Sequence, residues 1–200
     1  MIDNPFRSIL PRFTGPLVSL YSAVGLTPNG VTWVGAALAC VSAFCVIQDW
    51  RVAAGVIWWL GRLADGTDGI YARATDQESG FGAYLDIVVD MAAYSVMVVA
   101  FGIAYPELHH QWIAILFLYV LCIASALALG MQEAAAEHPA RDDRGLRLGA
   151  GLAEGGETGI AYTLFLLFPG WLPTLAAIWI AVLATTVIAR TMLARRLLSR

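Results

Sequence analysis

Six stretches of this chain are apolar for long enough to cross a lipid bilayer, and this constrains the fold more than any other feature. A hydrocarbon core about 30 Å thick needs roughly 20 mostly apolar residues of helix to span it. Such stretches run over 29–48, 51–73, 80–104, 111–136, 154–169 and 171–194. Composition agrees: 59% of the 200 residues are hydrophobic and 14% charged, where ordinary soluble domains carry about a quarter charged residues. The expectation is an all-α integral membrane protein with six transmembrane helices forming one domain over 27–200. Residues 1–26 set Phe6, Ile9, Leu10, Phe13, Leu17, Leu20 and Tyr21 among Arg7 and Arg12. That pattern reads as an amphipathic helix lying on the membrane surface, with a frayed terminal arm as the alternative. Pro5, Pro11 and Pro16 break its apolar runs, so no cleavable signal peptide is expected. Trp50, Trp58, Trp59, Trp112 and Trp171 fall near span ends, where an aromatic belt would put them.

Orientation follows from arginine. Six crossings put Arg7, Arg12, Arg73, Arg141, Arg144, Arg147, Arg195, Arg196 and Arg200 on one side and leave Arg51 opposite. Positive charge favours the cytoplasmic side, so this is expected to be a multi-pass protein of the cell (inner) membrane with that face in the cytoplasm. The chain contains no lysine, which excludes a Schiff-base or phosphate-loop lysine. Cys40, Cys45 and Cys122 lie in apolar runs without paired spacing and read as packing residues. His109, His110 and His138 read as exposed loop residues.

Against this apolar background stands the segment DGTDGIYARATDQESGFGAYLDIVVD, residues 65–90. Asp65 and Asp68 are three apart near the end of one span, and Asp86 and Asp90 are four apart inside the next. On helices, each pair shares a stripe. The short connection at 74–79 makes the two helices antiparallel neighbours, so all four carboxylates can converge. One aspartate at a membrane helix centre costs about 2.5–3.5 kcal/mol on the insertion scale, and four would also repel one another. Arg73 cannot offset them, whereas hard divalent cations with oxygen ligands can. Mg2+ or Mn2+, as a pair of ions, is the natural inference, and the absence of His or Cys argues against zinc. Gly66, Gly69, Ala72 and Gly82 leave room beside these acids, either for a ligand or for close helix packing. Arg62, one turn before the aspartates, is expected to pair with an acid.

The segment resembles the signature of the CDP-alcohol phosphotransferase family, DxxDGxxAR followed by eight residues and then GxxxDxxxD. Asp65, Asp68, Gly69, Ala72, Arg73, Gly82, Asp86 and Asp90 fill every fixed position. An upstream stretch from Thr27 to Thr32 and the six-span pattern are also similar to the family. The resemblance implies displacement of CMP from a CDP-activated lipid by a hydroxyl acceptor. It makes Asp65, Asp68, Asp86 and Asp90 metal ligands, with Asp90 also the general base. It puts Gly69, Ala72 and Arg73 against the CDP moiety, with Gly66 as a further contact. Asn29 and Thr32 become polar contacts at the start of the first span, although a helix cap is the simpler role for Asn29. It also implies a homodimer among membrane lipids, with no nucleic-acid partner.

The acceptor stays open. Branches that use phosphorylated acceptors resemble one another in placing Lys or Arg directly after the last aspartate, where this chain has Met91. Arg144, with Arg141 and Arg147, can bind an acceptor phosphate or simply set topology. Glu154 and Glu157 can bind an acceptor ammonium or favour a helix N-terminus. A reversed pairing, a CDP-aminoalcohol acting on diacylglycerol, stays possible. From a different class, a cation or proton transporter would also explain buried aspartates, but not Gly69, Ala72 and Arg73 at their spacing.

Overall fold

The structure, a computed structural model, describes residues 14–135 and 155–199. The expected amphipathic segment before Thr14, together with Arg141, Arg144, Arg147, His138 and Glu154, lies outside the described residues. Among the described residues every regular element is helical: α1 (Gly15–Ala23), α2 (Pro28–Ile47), α3 (Arg51–Ala74), α4 (Gly80–Ala104), α5 (His109–Ala135), α6 (Gly155–Leu167) and α7 (Leu172–Leu198). Single 3-10 turns at Pro106–Leu108 and Pro169–Trp171 lead into α5 and α7.

The breaks between the first helices share one chemistry. α1 closes with Leu26 N–H on Tyr21 O, α2 with Trp50 N–H on Cys45 O and α3 with Gln77 N–H on Ala72 O. Each is the six-to-one bond that ends a helix when the next residue turns left-handed. The left-handed residues are Gly25, Asp49 and Asp76, and aspartate tolerates that region better than most residues with a Cβ. Asp76 therefore reverses the chain between the two acid-bearing helices. Ser79 then opens α4 by accepting the Gly82 N–H at 3.0 Å. The cap of α2 is Thr27, which accepts the Gly30 N–H at 3.1 Å, so Asn29 is not the cap. Pro28 occupies the first helical position, where its missing N–H costs nothing, and this shifts the start one residue upstream.

Four segments, Pro28–Ile47, Gly80–Ala104, Pro106–Gln132 and Pro169–Leu198, are long and apolar enough by themselves to cross a membrane. The other two of the six expected spans, α3 and α6, do not reach both that length and that apolarity by themselves. α3 has the length, about 36 Å for 24 residues, but carries Arg51, Arg62, Asp65, Asp68 and Arg73. α6 is apolar but only 13 residues, about 20 Å.

Packing centres on α2, which lies along both α3 and α4, while α5 packs on α7 and α3 on α6. α2 and α3 approach where Gly35 faces Gly61. A Cβ on either would sit 3.3 Å from the other's carbonyl oxygen, so a side chain at either position would push the two backbones apart by a few tenths of an ångström. An aromatic cluster of Trp58, Tyr94, Phe101, Trp112, Tyr162 and Phe165 fills the centre. Trp58 and Trp112 are therefore core residues, 0% and 3% exposed, and not members of an interfacial belt. Nearness to a span end says nothing about which face a side chain takes, and these two face inward. Trp50, Trp59 and Trp171 are exposed as expected. The cysteines are free and His109 and His110 are exposed.

A candidate metal centre between two helices

The acids come together because α3 runs into the site and α4 runs back out of it. Asp65 lies nine residues before the end of α3 and Asp90 ten after the start of α4, so both sit about 15 Å from the same end of the bundle. Ligand oxygens of Asp65, Asp86 and Asp90 all lie within 4.8 Å of one another, and the three residues are partly buried. Asp86 and Asp90 share a stripe of α4 that begins at Gly82 and continues to Tyr94.

Asp68 does not join the trio. Three residues of helix turn its side chain about 60° from that of Asp65, which faces it toward α2. There its Oδ2 accepts the hydroxyl of Thr32, and its Oδ1 accepts the Gly69 N–H at 2.6 Å. Thr32 thus bonds an acid of the motif from the neighbouring helix. A carboxylate has about four lone-pair sites, so Asp68 keeps capacity for a further ligand.

The small residues separate into two functions. Gly82 is a packing position. A Cβ there would lie 3.1 Å from Ser79 Oγ and 3.2 Å from Asn29 Oδ1, so Asn29 fills the space beside α4. Gly66, Gly69 and Arg73 line one face of α3. Gly66 is exposed, and the Arg73 guanidinium folds back to within 3.7 Å of where a Gly69 Cβ would be. Ala72 is half-buried and Arg73 exposed. α1 docks on the same end of α3. Tyr21 Oη meets Thr67 Oγ1 at 3.0 Å and Tyr71 Oη donates to Leu26 O at 2.8 Å, which fixes the turn carrying Asp65 and Asp68. Glu157 is half-buried in the first turn of α6. The same turn approaches α4 at Gly155, whose Cβ would lie 3.1 Å from Tyr94 Oη.

Arg62 pairs with acids as expected. Its Nη1 bonds Asp90 Oδ1 and lies 3.3 Å from Asp65 Oδ2. The opposite oxygen, Asp65 Oδ1, is buried with no hydrogen-bond partner. An orphaned carboxylate oxygen on one member of a three-acid cluster fits an oxygen-seeking cation, because leaving it unpaired is costly. Sequence reasoning missed Trp58 and Tyr94, whose rings flank Arg62, and Tyr162, which packs on Trp58 and donates to Tyr94 O. Tyr94 carried a signal, since it extends the Gly82–Asp86–Asp90 stripe by one turn.

Comparison with known proteins agrees with this geometry. A family model described as CDP-alcohol phosphatidyltransferase matches residues 25–188. The chain belongs to that family, and so is a membrane transferase of phospholipid biosynthesis that moves a phosphatidyl group from a CDP-alcohol; the ion-transporter reading falls. The Inner membrane protein YnjF of Escherichia coli is 31% identical over 86% of this chain and 84% of its own length. The archaetidylinositol phosphate synthase of Pyrococcus horikoshii is 31% identical over 48% of this chain and 52% of its own. Among solved structures, Mycobacterium tuberculosis phosphatidylinositol phosphate synthase with CDP-DAG bound shares the fold at a TM-score of 0.67 and 20% identity, covering 92% of this chain and 94% of that one. The same enzyme in complex with manganese and citrate gives a TM-score of 0.63 at 22% identity, covering 90% and 88%.

Proposed function

We propose that this enzyme transfers the phosphatidyl group of CDP-diacylglycerol to the hydroxyl of a small acceptor and releases CMP. The observation that carries the reading is the convergence of Asp65, Asp86 and Asp90 from two helices, with one oxygen of Asp65 buried and without a partner. Two divalent ions, Mg2+ or Mn2+, would be held by these three and by Asp68, where they would supply positive charge to the diphosphate. The manganese reported with the mycobacterial enzyme supports that choice.

The chain's own residues divide the remaining work. Arg73 stands free at the exposed end of the Gly66–Gly69 face, positioned for a diphosphate oxygen. The small residues Gly66, Gly69 and Ala72 admit the nucleotide beside it. An open groove of about 240 Å³ lined by Tyr21, Leu26, Val34, Leu38, Leu60 and Leu63 suits an acyl chain of the donor. Asp90 accepts the proton of the acceptor hydroxyl as its oxygen attacks the phosphorus bearing the diacylglycerol. The bond to CMP oxygen breaks and CMP leaves with the electron pair. Thr32 holds Asp68, and Asn29 and Gly82 fix the two helix starts that flank the nucleotide.

All six helices α2–α7 cross the bilayer in this reading. Arg62, Asp65 and Asp68 of α3 turn into the bundle while Arg51 and Arg73 lie near its two ends, and α6 is buried along one face. The N-terminal segment lies on the membrane, the site opens to the cytoplasm, and two copies associate. Glu157, Glu154 and Arg144 are the candidates for contact with the acceptor.

The test is CMP release by the purified protein in detergent. Release is expected only with CDP-diacylglycerol, Mg2+ or Mn2+, and one member of an acceptor panel containing inositol, inositol phosphate, glycerol phosphate, serine and ethanolamine. The names of the relatives favour the inositol acceptors. Release from CDP-choline with diacylglycerol, and none from CDP-diacylglycerol, would reverse the donor assignment.

A further inference from the structure

Outside the family motif, the acid trio carries a cation of its own. Arg62 is nine-tenths buried, with its side chain 7% exposed. One nitrogen, Nη1, straddles Asp90 of α4 and Asp65 of α3. The guanidinium carbon lies 4.8 Å from the Trp58 ring centroid and 5.3 Å from that of Tyr94, so both rings attract and confine the head group. Its Nε and Nη2 are buried without hydrogen-bond partners. An arginine serving only to tie two helices would be expected to use its fork on one carboxylate with two parallel bonds. Here a single nitrogen is shared between two acids from different helices, and the rest of the fork is left unmade.

A guanidinium keeps its proton throughout the accessible pH range, so this is a fixed positive charge inside the candidate metal centre. Four carboxylates balance two divalent ions. With Arg62 present, the same two ions leave a positive surplus, and the arginine also occupies carboxylate lone pairs that an ion would use. We propose that Arg62 is a positioning residue that pins one oxygen of Asp90, turns the other toward the acceptor, and competes with divalent cations for Asp65 and Asp90. This rests on the reading of the trio as the metal centre.

The experiment is an Mn2+ titration of the full-length protein in detergent, following the free-ion electron paramagnetic resonance signal, alongside CMP-release kinetics. Arg62→Gln is expected to bind Mn2+ about tenfold or more tighter than the unaltered protein, since a repelling charge a few ångströms away is removed. Its kcat should fall while KM for CDP-diacylglycerol stays near the unaltered value. A merely structural arginine predicts the opposite sign, weaker binding in a loosened site. Arg62→Lys covers the case in which glutamine prevents folding. It keeps the charge and so near-normal Mn2+ affinity, but a compact ammonium cannot straddle both acids from between the two rings, so kcat still falls. Unchanged or weakened Mn2+ binding by Arg62→Gln, or full kcat in Arg62→Lys, overturns the proposal. Asp65→Asn separates the two levels of the argument. If Mn2+ binding depends on Asp65 but is indifferent to Arg62, only the role of Arg62 fails. If it is indifferent to both, the metal centre itself fails and the proposal with it.

Discussion

Asp90→Asn is expected to lower kcat for CMP release by about two to four orders of magnitude, the range that a positioned general base contributes. At saturating Mn2+, where the remaining ligands keep the ion bound, KM for CDP-diacylglycerol should change little. Asparagine keeps an oxygen at the same place but cannot take a proton from the acceptor, so loss of chemistry should be separable from loss of donor binding. The local structure strengthens this expectation. Asp90 stands on the inward stripe of α4 between Asp86 and Tyr94, and Arg62 fixes one of its oxygens. The measurement is initial rates over a range of donor and acceptor concentrations, with donor binding followed by equilibrium dialysis. Near-normal turnover by this variant would remove Asp90 from the role of base.

Asp65→Asn should act on the metal before the chemistry. Asp65 brings the oxygen that has no partner, and its other oxygen already faces Arg62. Replacing it removes a charge and sets an amide where a ligand oxygen is needed. Losing an outer-shell partner of a metal ligand typically costs about 10–100-fold in affinity, so losing the ligand itself should cost about 100-fold or more. Mn2+ binding should weaken accordingly, and the rise in melting temperature that Mn2+ gives the unaltered protein should disappear, because that rise comes from binding to the folded state. A variant that still binds Mn2+ tightly and is stabilised by it would move the metal centre elsewhere.

The two helices that carry these acids were legible from periodicity alone. Apolar runs separated by the connection at 74–79 gave α3 and α4 to within a residue or two, and the i,i+4 spacing of Asp86 and Asp90 placed both on one stripe. That only three of the four acids meet was not legible, because spacing gives the angle between Asp65 and Asp68 but not which helix lies on either side. Thr32 on α2 supplies a hydroxyl that draws Asp68 away from the trio. Trp58 and Trp112 were misplaced for a related reason, since burial depends on a partner face that only packing defines. Thr27 rather than Asn29 caps α2 because Pro28 sets the first helical residue. The pairing of Arg62 was foreseeable from its position one turn before Asp65. Its clamp between Trp58 and Tyr94 was not, because it joins residues on two helices.

The central claim is that Asp65, Asp86 and Asp90 hold the divalent cation on which phosphatidyl transfer depends. Crystals of the protein grown with Mn2+ and CDP-diacylglycerol, measured at the manganese absorption edge, test it most directly. The account predicts an anomalous peak in contact with all three carboxylates and close to the diphosphate. A peak elsewhere, or none at the trio in crystals whose protein releases CMP, would contradict it.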